Sequence, residues 1–171
     1  TRDGPFYRDK EVLVIGGSNS GLQESLFLTG FLMEVTILER GERLGASQVL
    51  QDKVAELPQI EVRLNSTVEE FKGNGHISGV AAKDLKSGQV EQLHPDGVFG
   101  LIGLNPNTYF LKEAIGLDRW GFIITDKTLQ TSVPGIFATW DVREGSTKQI
   151  ASATGEGAAA ALMIRQYLEQ Q

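Results

Sequence analysis

A glycine-rich segment that follows a short apolar run limits the fold of this chain more than any other feature. Residues 11–15 are mostly β-branched and apolar, as in a strand buried on both faces of a parallel sheet. The run leads into Gly16-Gly17-Ser18-Asn19-Ser20-Gly21. A helix is predicted over 22–29, with Ser18 or Asn19 as its N-cap, and a second strand over 34–39. Together they predict a βαβ unit over 12–40, with the right-handed crossover that such units adopt.

The spacing of the glycines is that of a dinucleotide-binding loop, apart from one position. In such a loop the first glycine permits a tight turn, and the sixth position lets the helix pack close to the strand. N–H groups at the start of the helix then face the phosphates, assisted by the helix dipole. The third position lets the backbone approach the pyrophosphate, and here it is Ser18, whose side chain occupies that space. We therefore expect weakened nucleotide binding, or a βαβ unit that no longer binds a dinucleotide.

Charged residues at the end of the second predicted strand bear on the choice of nucleotide. Glu39 can accept hydrogen bonds from ribose hydroxyls and would repel a 2′-phosphate, which favours NADH over NADPH. Arg40 and Arg43 act in the opposite sense, because either could pair with that phosphate. Both nucleotides stay open at this point. The residues predicted to contact the nucleotide are Gly16, Gly17, Ser18, Asn19, Ser20, Gly21, Glu39, Arg40 and Arg43.

The remaining pattern predicts two different parts. Up to residue 102 we expect a helix over 48–57 capped by Ser47, a third parallel strand over 60–64, and a buried strand over 98–102. Between the last two, an antiparallel meander is predicted over 67–72, 76–84 and 89–94, with hairpin turns at Asn74-Gly75 and at 86–88. The inner face of the helix over 48–57 is predicted to carry Val49, Leu50, Val54 and Leu57.

Beyond residue 102 the predicted elements are shorter, apart from the last one. We expect a short helix over 109–115, strands over 122–125 and 136–139, and a long helix over 150–168. Gly155 and Gly157 lower the helix propensity of that last segment, so they are predicted to serve close packing or the approach of a ligand.

Composition excludes several classes of function. The formal net charge of −6 argues against a nucleic-acid or anionic-membrane surface. No apolar run approaches the roughly 20 residues that span a bilayer, and the first residues lack an apolar signal core, so a cytoplasmic protein is expected. The chain has no cysteine and two histidines, which excludes disulfides and thiolate sites and disfavours a metal site. No catalytic residue is predicted.

Several stretches, in matching order, resemble the thioredoxin reductase-like flavoproteins, a group of pyridine nucleotide-disulfide oxidoreductases. The resemblance covers essentially the whole chain. The matching stretches are DGPFYRDK (3–10), VIGGSNSG (14–21), VLQDK (49–53), IGLNPNT (102–108), TSVPGIF (131–137) and KQIASATGEGAAAA (148–161).

The resemblance implies an α/β fold with a Rossmann-like parallel sheet, an antiparallel β-meander and a partial second, flavin-type α/β domain. Residues 10–95 would be the NAD(P)-binding domain, 97–171 the C-terminal half of an FAD-binding domain, and 1–9 a connecting segment. Asp141 matches the aspartate that holds the ribityl chain of FAD. Further cofactor contacts are implied for Gly103 and for Lys148, Gln149 and Ile150, of which the last three match the segment that meets the isoalloxazine ring.

Three departures from the family pattern limit what the resemblance implies for activity. The N-terminal half of the family's flavin domain is expected to have no counterpart in these 171 residues. Arg2 stands where the second cysteine of the redox pair belongs, just before Asp3-Gly4, so no dithiol–disulfide exchange is expected. Trp140 replaces the glycine before Asp141, where a bulky side chain would fill space near the flavin and disfavour FAD binding. At most, nucleotide binding is expected to remain.

The missing half also raises the question of a partner. A strand such as 136–139 would lose its neighbours, exposing an edge and apolar faces. An apolar cluster at 27–33 is either core or interface; the interface alternative implies a homodimer or a complementary flavin-domain chain. A different class stays open as well: a catalytically silent scaffold or protein-binding module, natural or engineered, with filled cofactor pockets. The cluster comprises Phe27, Leu28, Phe31, Leu32 and Met33.

Overall fold

The computed structural model describes residues 3–170, in two compact units. The units are Thr1–Gly103 and Leu104–Gln171, and each is described by itself. Arg2, which stands where the second cysteine of the family's redox pair belongs, lies outside the described residues.

The first unit contains a four-stranded parallel sheet and a three-stranded antiparallel sheet. The strands follow the order β3-β2-β1-β7 in the first sheet and β4-β5-β6 in the second. The elements are β1 (Glu11–Ile15), α1 (Asn19–Leu28), β2 (Glu34–Leu38), α2 (Gln48–Ala55), β3 (Ile60–Arg63), β4 (Ser66–Gly73), β5 (Ile77–Asp84), β6 (Val90–Leu93) and β7 (Gly97–Gly100). The predicted βαβ unit, third parallel strand and meander are confirmed.

Strand β1 is the centre of the first unit because it is covered on both faces. Val12 and Val14 pack in one core cluster with Leu22 and Leu28 of α1. Leu13, on the opposite face, packs in a second cluster that contains Val80 of the meander. A strand buried on both faces needs apolar residues at consecutive positions, which explains the unbroken apolar run at 12–15.

Side-chain burial corrects the predicted inner face of α2 and shows that the apolar cluster at 27–33 is only partly buried. Val49 is 65% exposed, so its placement on the inner face of α2 was wrong; Val54 of the same helix is buried. In the cluster at 27–33, Leu28 and Leu32 are buried as core residues, whereas Phe27 and Met33 are exposed. Helix α1 turns Phe27 and Leu28 to different sides, and only the side of Leu28 faces β1, whereas Leu32 and Met33 lie beyond the end of the helix.

The second unit has one long helix and little other regular structure. Helix α3 (Ile150–Glu169) confirms the predicted long helix, and the predicted helix over 109–115 is reduced to a 3₁₀ turn, Tyr109–Leu111. The predicted strands over 122–125 and 136–139 were wrong, because these segments form only single bridges, such as Gln130 to Phe137. A strand requires a neighbour that hydrogen-bonds along its length, and the described residues provide none there.

Two further observations concern the helices. A Cβ atom added at Gly155 or Gly157 would meet no atom within 4 Å, so the described residues do not pack closely against these glycines. Across residues 3–170, no helix is both long and apolar enough to cross a membrane.

Candidate functional site

The turn between β1 and α1 requires glycine at positions 16 and 21. Gly16 has φ +112°, a left-handed conformation, and its N–H donates to the carbonyl oxygen of Leu38 at 2.9 Å. A Cβ at Gly16 would collide with the carbonyl of Leu101, and a Cβ at Gly21 would collide with the carbonyl of Gly16. The tight turn and the close approach of helix to strand are therefore built into the backbone.

The carboxylate of Glu39 connects this turn to the loop after β2. The N–H of Gly17 donates to Oε2 of Glu39 at 2.7 Å, and the N–H of Gly41 donates to Oε1 at 2.6 Å. Each carboxylate oxygen can accept a further hydrogen bond. Glu39 thus presents acceptor capacity beside the turn, where a ribose would lie in a dinucleotide complex.

The start of α1 faces the same region. The first intrahelical bond runs from the N–H of Leu22 to the carbonyl of Ser18, so the N–H groups before Leu22 have no intrahelical acceptor. Ser18 is the N-cap, with φ −80° and ψ 177°, and its exposed side chain makes no capping bond. Oδ1 of Asn19 accepts the N–H of Ser47 at 2.8 Å, which ties α1 to the start of α2. Ser20 is exposed.

A cavity of about 750 Å³ lies at the carboxyl ends of β1 and β2. It is lined by the glycine turn, Glu39 and Arg40, by residues 101–103, and by residues 66–71 of β4. Ligands in open α/β sheets bind outside the carboxyl ends of the strands, and pockets of this size hold small molecules. Gly103 lines the cavity with φ +97°, whereas Arg43 is exposed and is not among the lining residues.

One wall of the cavity was not predicted from the sequence. Residues 66–71 were predicted as a strand, but alternation along a meander does not say which other sheet it faces. The apolar residues of β4 and β5 are a weak indication of this packing, since Val68 and Val80 lie in the same core cluster as Leu13 of β1.

In the second unit, Asp141 lies in a 3₁₀ turn, Trp140–Val142. Its Oδ1 atom is buried and has no hydrogen-bond partner among the described residues. Trp140 has φ +71°, in the left-handed region that favours glycine. Its side chain is 45% exposed and does not fill a closed cavity within the unit.

An ion pair holds this turn to α3. Oε2 of Glu156 accepts the N–H of Trp140 at 2.7 Å, and Oε1 accepts a guanidinium N–H of Arg143 at 2.5 Å. The hydrogen bond from Arg143 and that from the Trp140 N–H hold the pKa of Glu156 below its usual value, and the same pairing with Glu156 raises the pKa of Arg143.

The three residues at the start of α3 lie together but have different surroundings. Lys148 has φ +57°, and its Nζ lies 4.3 Å from the centroid of the Phe122 ring. Gln149 is the N-cap of α3 in a capping box with Ser152. Ile150 is 84% exposed. The described part of the chain contains no group of three or more His, Cys, Asp or Glu residues that could hold a metal ion.

Comparisons with known proteins identify one family. The sequence profile described as pyridine nucleotide-disulphide oxidoreductase matches residues 2–157. The F subunit of alkyl hydroperoxide reductase in Staphylococcus aureus (strain MRSA252) is 40% identical over 166 residues, which is 97% of this chain and 33% of that protein. The Staphylococcus epidermidis protein of the same name is 37% identical over the same shares. The chain thus spans about a third of the length of these curated relatives.

Solved structures show the same fold. Lactococcus lactis thioredoxin reductase superposes with a TM-score of 0.86 at 37% identity, covering 99% of this chain and 56% of that one. Thioredoxin reductase of T. acidophilum gives a TM-score of 0.82 at 36% identity, covering 99% and 55%.

Proposed function

Because this chain belongs to the pyridine nucleotide-disulphide oxidoreductase family and is thioredoxin reductase-like, we propose that its first unit binds a nicotinamide dinucleotide. The observation that carries the proposal is the turn between β1 and α1. Neither Gly16 nor Gly21 can carry a Cβ there, and Glu39 is fixed beside the turn by two N–H donors. The bound nucleotide would supply a hydride, while the chain supplies binding and orientation.

On this proposal, different polar groups of the cavity bind different parts of the nucleotide. The free N–H groups at the start of α1 would bind the pyrophosphate, since they carry the positive end of the helix dipole. Glu39 would accept the ribose hydroxyls. A 2′-phosphate would meet its carboxylate at close range, so we propose NADH as the preferred nucleotide; Arg40 on the cavity wall limits that preference.

Ser18 would weaken this binding without abolishing it. Its φ of −80° is ordinary for a residue with a side chain, so glycine is not required there by the backbone itself. The side chain is exposed and unbonded at the cavity, where it would hold the pyrophosphate away from the N–H groups.

For the second unit we propose the C-terminal half of a flavin-binding domain. The buried, unpartnered oxygen of Asp141 fits a hydroxyl donor such as the ribityl chain of FAD, and Trp140 retains the backbone conformation expected of a glycine. Residues from a complementary flavin-domain segment, in a longer protein or a second chain, would complete that site. On this proposal, 10–95 is the NAD(P)-binding domain and 97–171 the flavin half of a disulfide oxidoreductase.

A catalytically silent scaffold with filled cofactor pockets is the second candidate. It requires side chains that occupy both sites. Ser18 supports it in the first unit, but the cavity there is open and Trp140 is half-exposed in the second. These observations favour the nucleotide-binding proposal.

Calorimetric titration of the purified chain with NADH and then NADPH tests the proposal. We expect heat of binding for NADH and a weaker affinity for NADPH. The Glu39→Gln variant should narrow the difference, because it removes the charge that repels the 2′-phosphate. Glu42→Gln is the matched control, since Glu42 is an exposed acid of the same loop that pairs with Lys86. Absence of heat with both nucleotides would overturn the proposal.

A further inference from the structure

The backbone at Trp140 is in a conformation that its side chain disfavours. A φ of +71° lies in the left-handed region, which bulky residues rarely enter. Such residues persist there only when their surroundings hold them, and they cluster at binding sites. The Trp140 backbone must therefore be held by contacts from the surrounding residues.

Glu156 makes the contacts that hold it. One of its oxygens accepts the backbone N–H of Trp140 at 2.7 Å, and both oxygens accept the guanidinium of Arg143, at 3.2 and 2.5 Å. The Glu156 and Arg143 side chains are 18% and 19% exposed, so the pair is shielded from water. Arg143 also donates to the carbonyl of Glu144 at 2.9 Å, which fixes the end of the turn.

The turn that is held in this way carries Asp141. A buried carboxylate oxygen without a hydrogen-bond donor is unfavourable, because it has lost its water without replacement. Helix α3 supplies Glu156, which restrains the turn. The buried oxygen of Asp141 has no donor among the described residues and is available to a donor from outside them. The two acids of this site thus have different tasks.

We propose that Glu156 is a positioning residue, which holds the Trp140 backbone left-handed so that the buried oxygen of Asp141 is presented to a hydroxyl-bearing ligand. The identity of that ligand, the ribityl chain of a flavin, rests on the proposed function. The role of Glu156 does not, because it follows from contacts within the second unit.

A rival explanation is that Glu156 only attaches α3 to the rest of the unit. The two explanations differ in the effect of residue 140. If Glu156 restrains an unfavourable backbone, then glycine at 140 makes the restraint unnecessary, since glycine takes positive φ without strain. If Glu156 serves attachment alone, its loss should have the same effect with tryptophan or glycine at 140.

Amide hydrogen exchange of the full chain, measured by NMR at residues 140–143, distinguishes them. In Glu156→Ala we expect exchange at residues 140 and 141 to accelerate about tenfold or more, as for loss of a hydrogen bond to a charged acceptor. The double variant Trp140→Gly with Glu156→Ala should return residue 141 to near its wild-type rate. Equal acceleration in both backgrounds, or none in Glu156→Ala, would overturn the proposal.

Two further variants keep the test decisive if Glu156→Ala fails to fold. Glu156→Gln retains an acceptor for the Trp140 N–H but loses the charge opposite Arg143, so an intermediate acceleration is expected. Glu169→Ala is the matched control, because Glu169 is an exposed acid of the same helix that pairs with Arg165. Acceleration at residues 140 and 141 in Glu169→Ala would contradict a specific role for Glu156.

Titration with FAD, followed by absorbance and by quenching of flavin fluorescence, tests the ligand separately. If the chain binds FAD, Asp141→Ala and Glu156→Ala should each weaken binding about tenfold or more. Trp140→Gly should restore binding only in the Glu156→Ala background. If the wild-type chain binds no FAD, the flavin proposal fails, and the exchange rates alone decide the role of Glu156.

Discussion

The two units of this chain bury their apolar residues to different degrees. In the first, three consecutive residues of β1 are buried, with helices over one face and the meander over the other. In the second, Ile115, Ile123 and Ala138 form a small buried cluster, Leu129 is buried outside it, and α3 buries only Ala160 among its described residues. Its exposed large apolar side chains are Leu104, Tyr109, Phe110, Trp120, Ile124, Ile136, Trp140, Ile150, Leu162, Ile164 and Leu168.

The difference shows that a strand-like sequence becomes a strand only beside a neighbour. Residues 122–125 and 136–139 have the same apolar, β-branched character as β1. Strand β1 pairs with β2 and β7 along its length, whereas Ile123 forms single bridges to Leu117 and Arg143. The first unit therefore has a core built around a strand that is paired on both sides, whereas the described residues of the second unit form only a small buried cluster.

Core truncation should separate the units most clearly. Leu22→Ala removes a fully buried side chain from the first unit and should lower the free energy of unfolding by about 2–5 kcal/mol. Leu162→Ala, at a position that is 58% exposed in the second unit, should change it by about 0.5 kcal/mol or less. Denaturant unfolding followed by circular dichroism measures both. Equal losses would mean that the second unit has a core comparable to that of the first.

Glycine-to-alanine exchanges should have opposite signs in the two units. Gly21→Ala places a Cβ against the carbonyl of Gly16 and should lower the free energy of unfolding by about 1–3 kcal/mol, as overpacking does. The same substitution should weaken NADH binding. Gly157→Ala meets no atom within 4 Å and should stabilise α3 by about 0.5–1 kcal/mol. Thermal unfolding gives both values. Destabilisation by Gly157→Ala would reveal a packing contact at that face.

Ser18→Gly should improve the nucleotide site without affecting the second unit. We expect NADH affinity to rise about tenfold, because the backbone can then approach the pyrophosphate. Helix stability should change by only a few tenths of a kcal/mol, since glycine is a tolerable N-cap. Calorimetry with wild type and variant side by side measures the change. Lower affinity in the variant would show that the Ser18 hydroxyl itself binds the nucleotide, and unchanged affinity would show that the side chain does not obstruct it.

The smallest effect is expected when the pH is lowered, and it should be a loss of stability in the second unit. Hydrogen bonds from Arg143 and from the Trp140 N–H lower the pKa of Glu156 from its ordinary value of 4.5. A carboxyl with a lowered pKa in the folded state stabilises above its unfolded pKa, and this stability is lost as the pH falls through the folded pKa. Both tryptophans, Trp120 and Trp140, lie in the second unit, so their fluorescence should change below about pH 4.5.

The control for the acid effect is Glu156→Gln, which cannot titrate. Its fluorescence should be less sensitive to pH in the same range. An identical acid transition in wild type and Glu156→Gln would assign that transition to other carboxyl groups.

What could be predicted from the sequence follows the same division. The βαβ unit was predictable because its signals are local: an apolar run, a glycine turn and a helix within a short span. Glu39 was predictable for the same reason, since its position after β2 places it beside the turn. The wall formed by β4 was not, because it depends on how two sheets pack.

In the second unit, local signals were misleading where the outcome depends on distant partners. The pattern at 136–139 predicts a strand, but pairing requires a neighbour that the described residues do not supply. The contact of Glu156 with Trp140 joins residues on a turn and a helix, and no periodicity indicates it. The only indication of a positive φ at Trp140 was the glycine that the family resemblance implies at that position.

The two short bonds to Glu39 have a consequence for how a ligand would meet the first unit. They fix the glycine turn and the following loop in position during folding, so the conformational entropy of these segments is lost before any encounter. Binding then requires little further ordering of the backbone, and its rate depends on diffusion and on the release of water from the cavity. Replacing Glu39 would therefore slow association as well as weaken the complex, since the loop would have to order during each encounter.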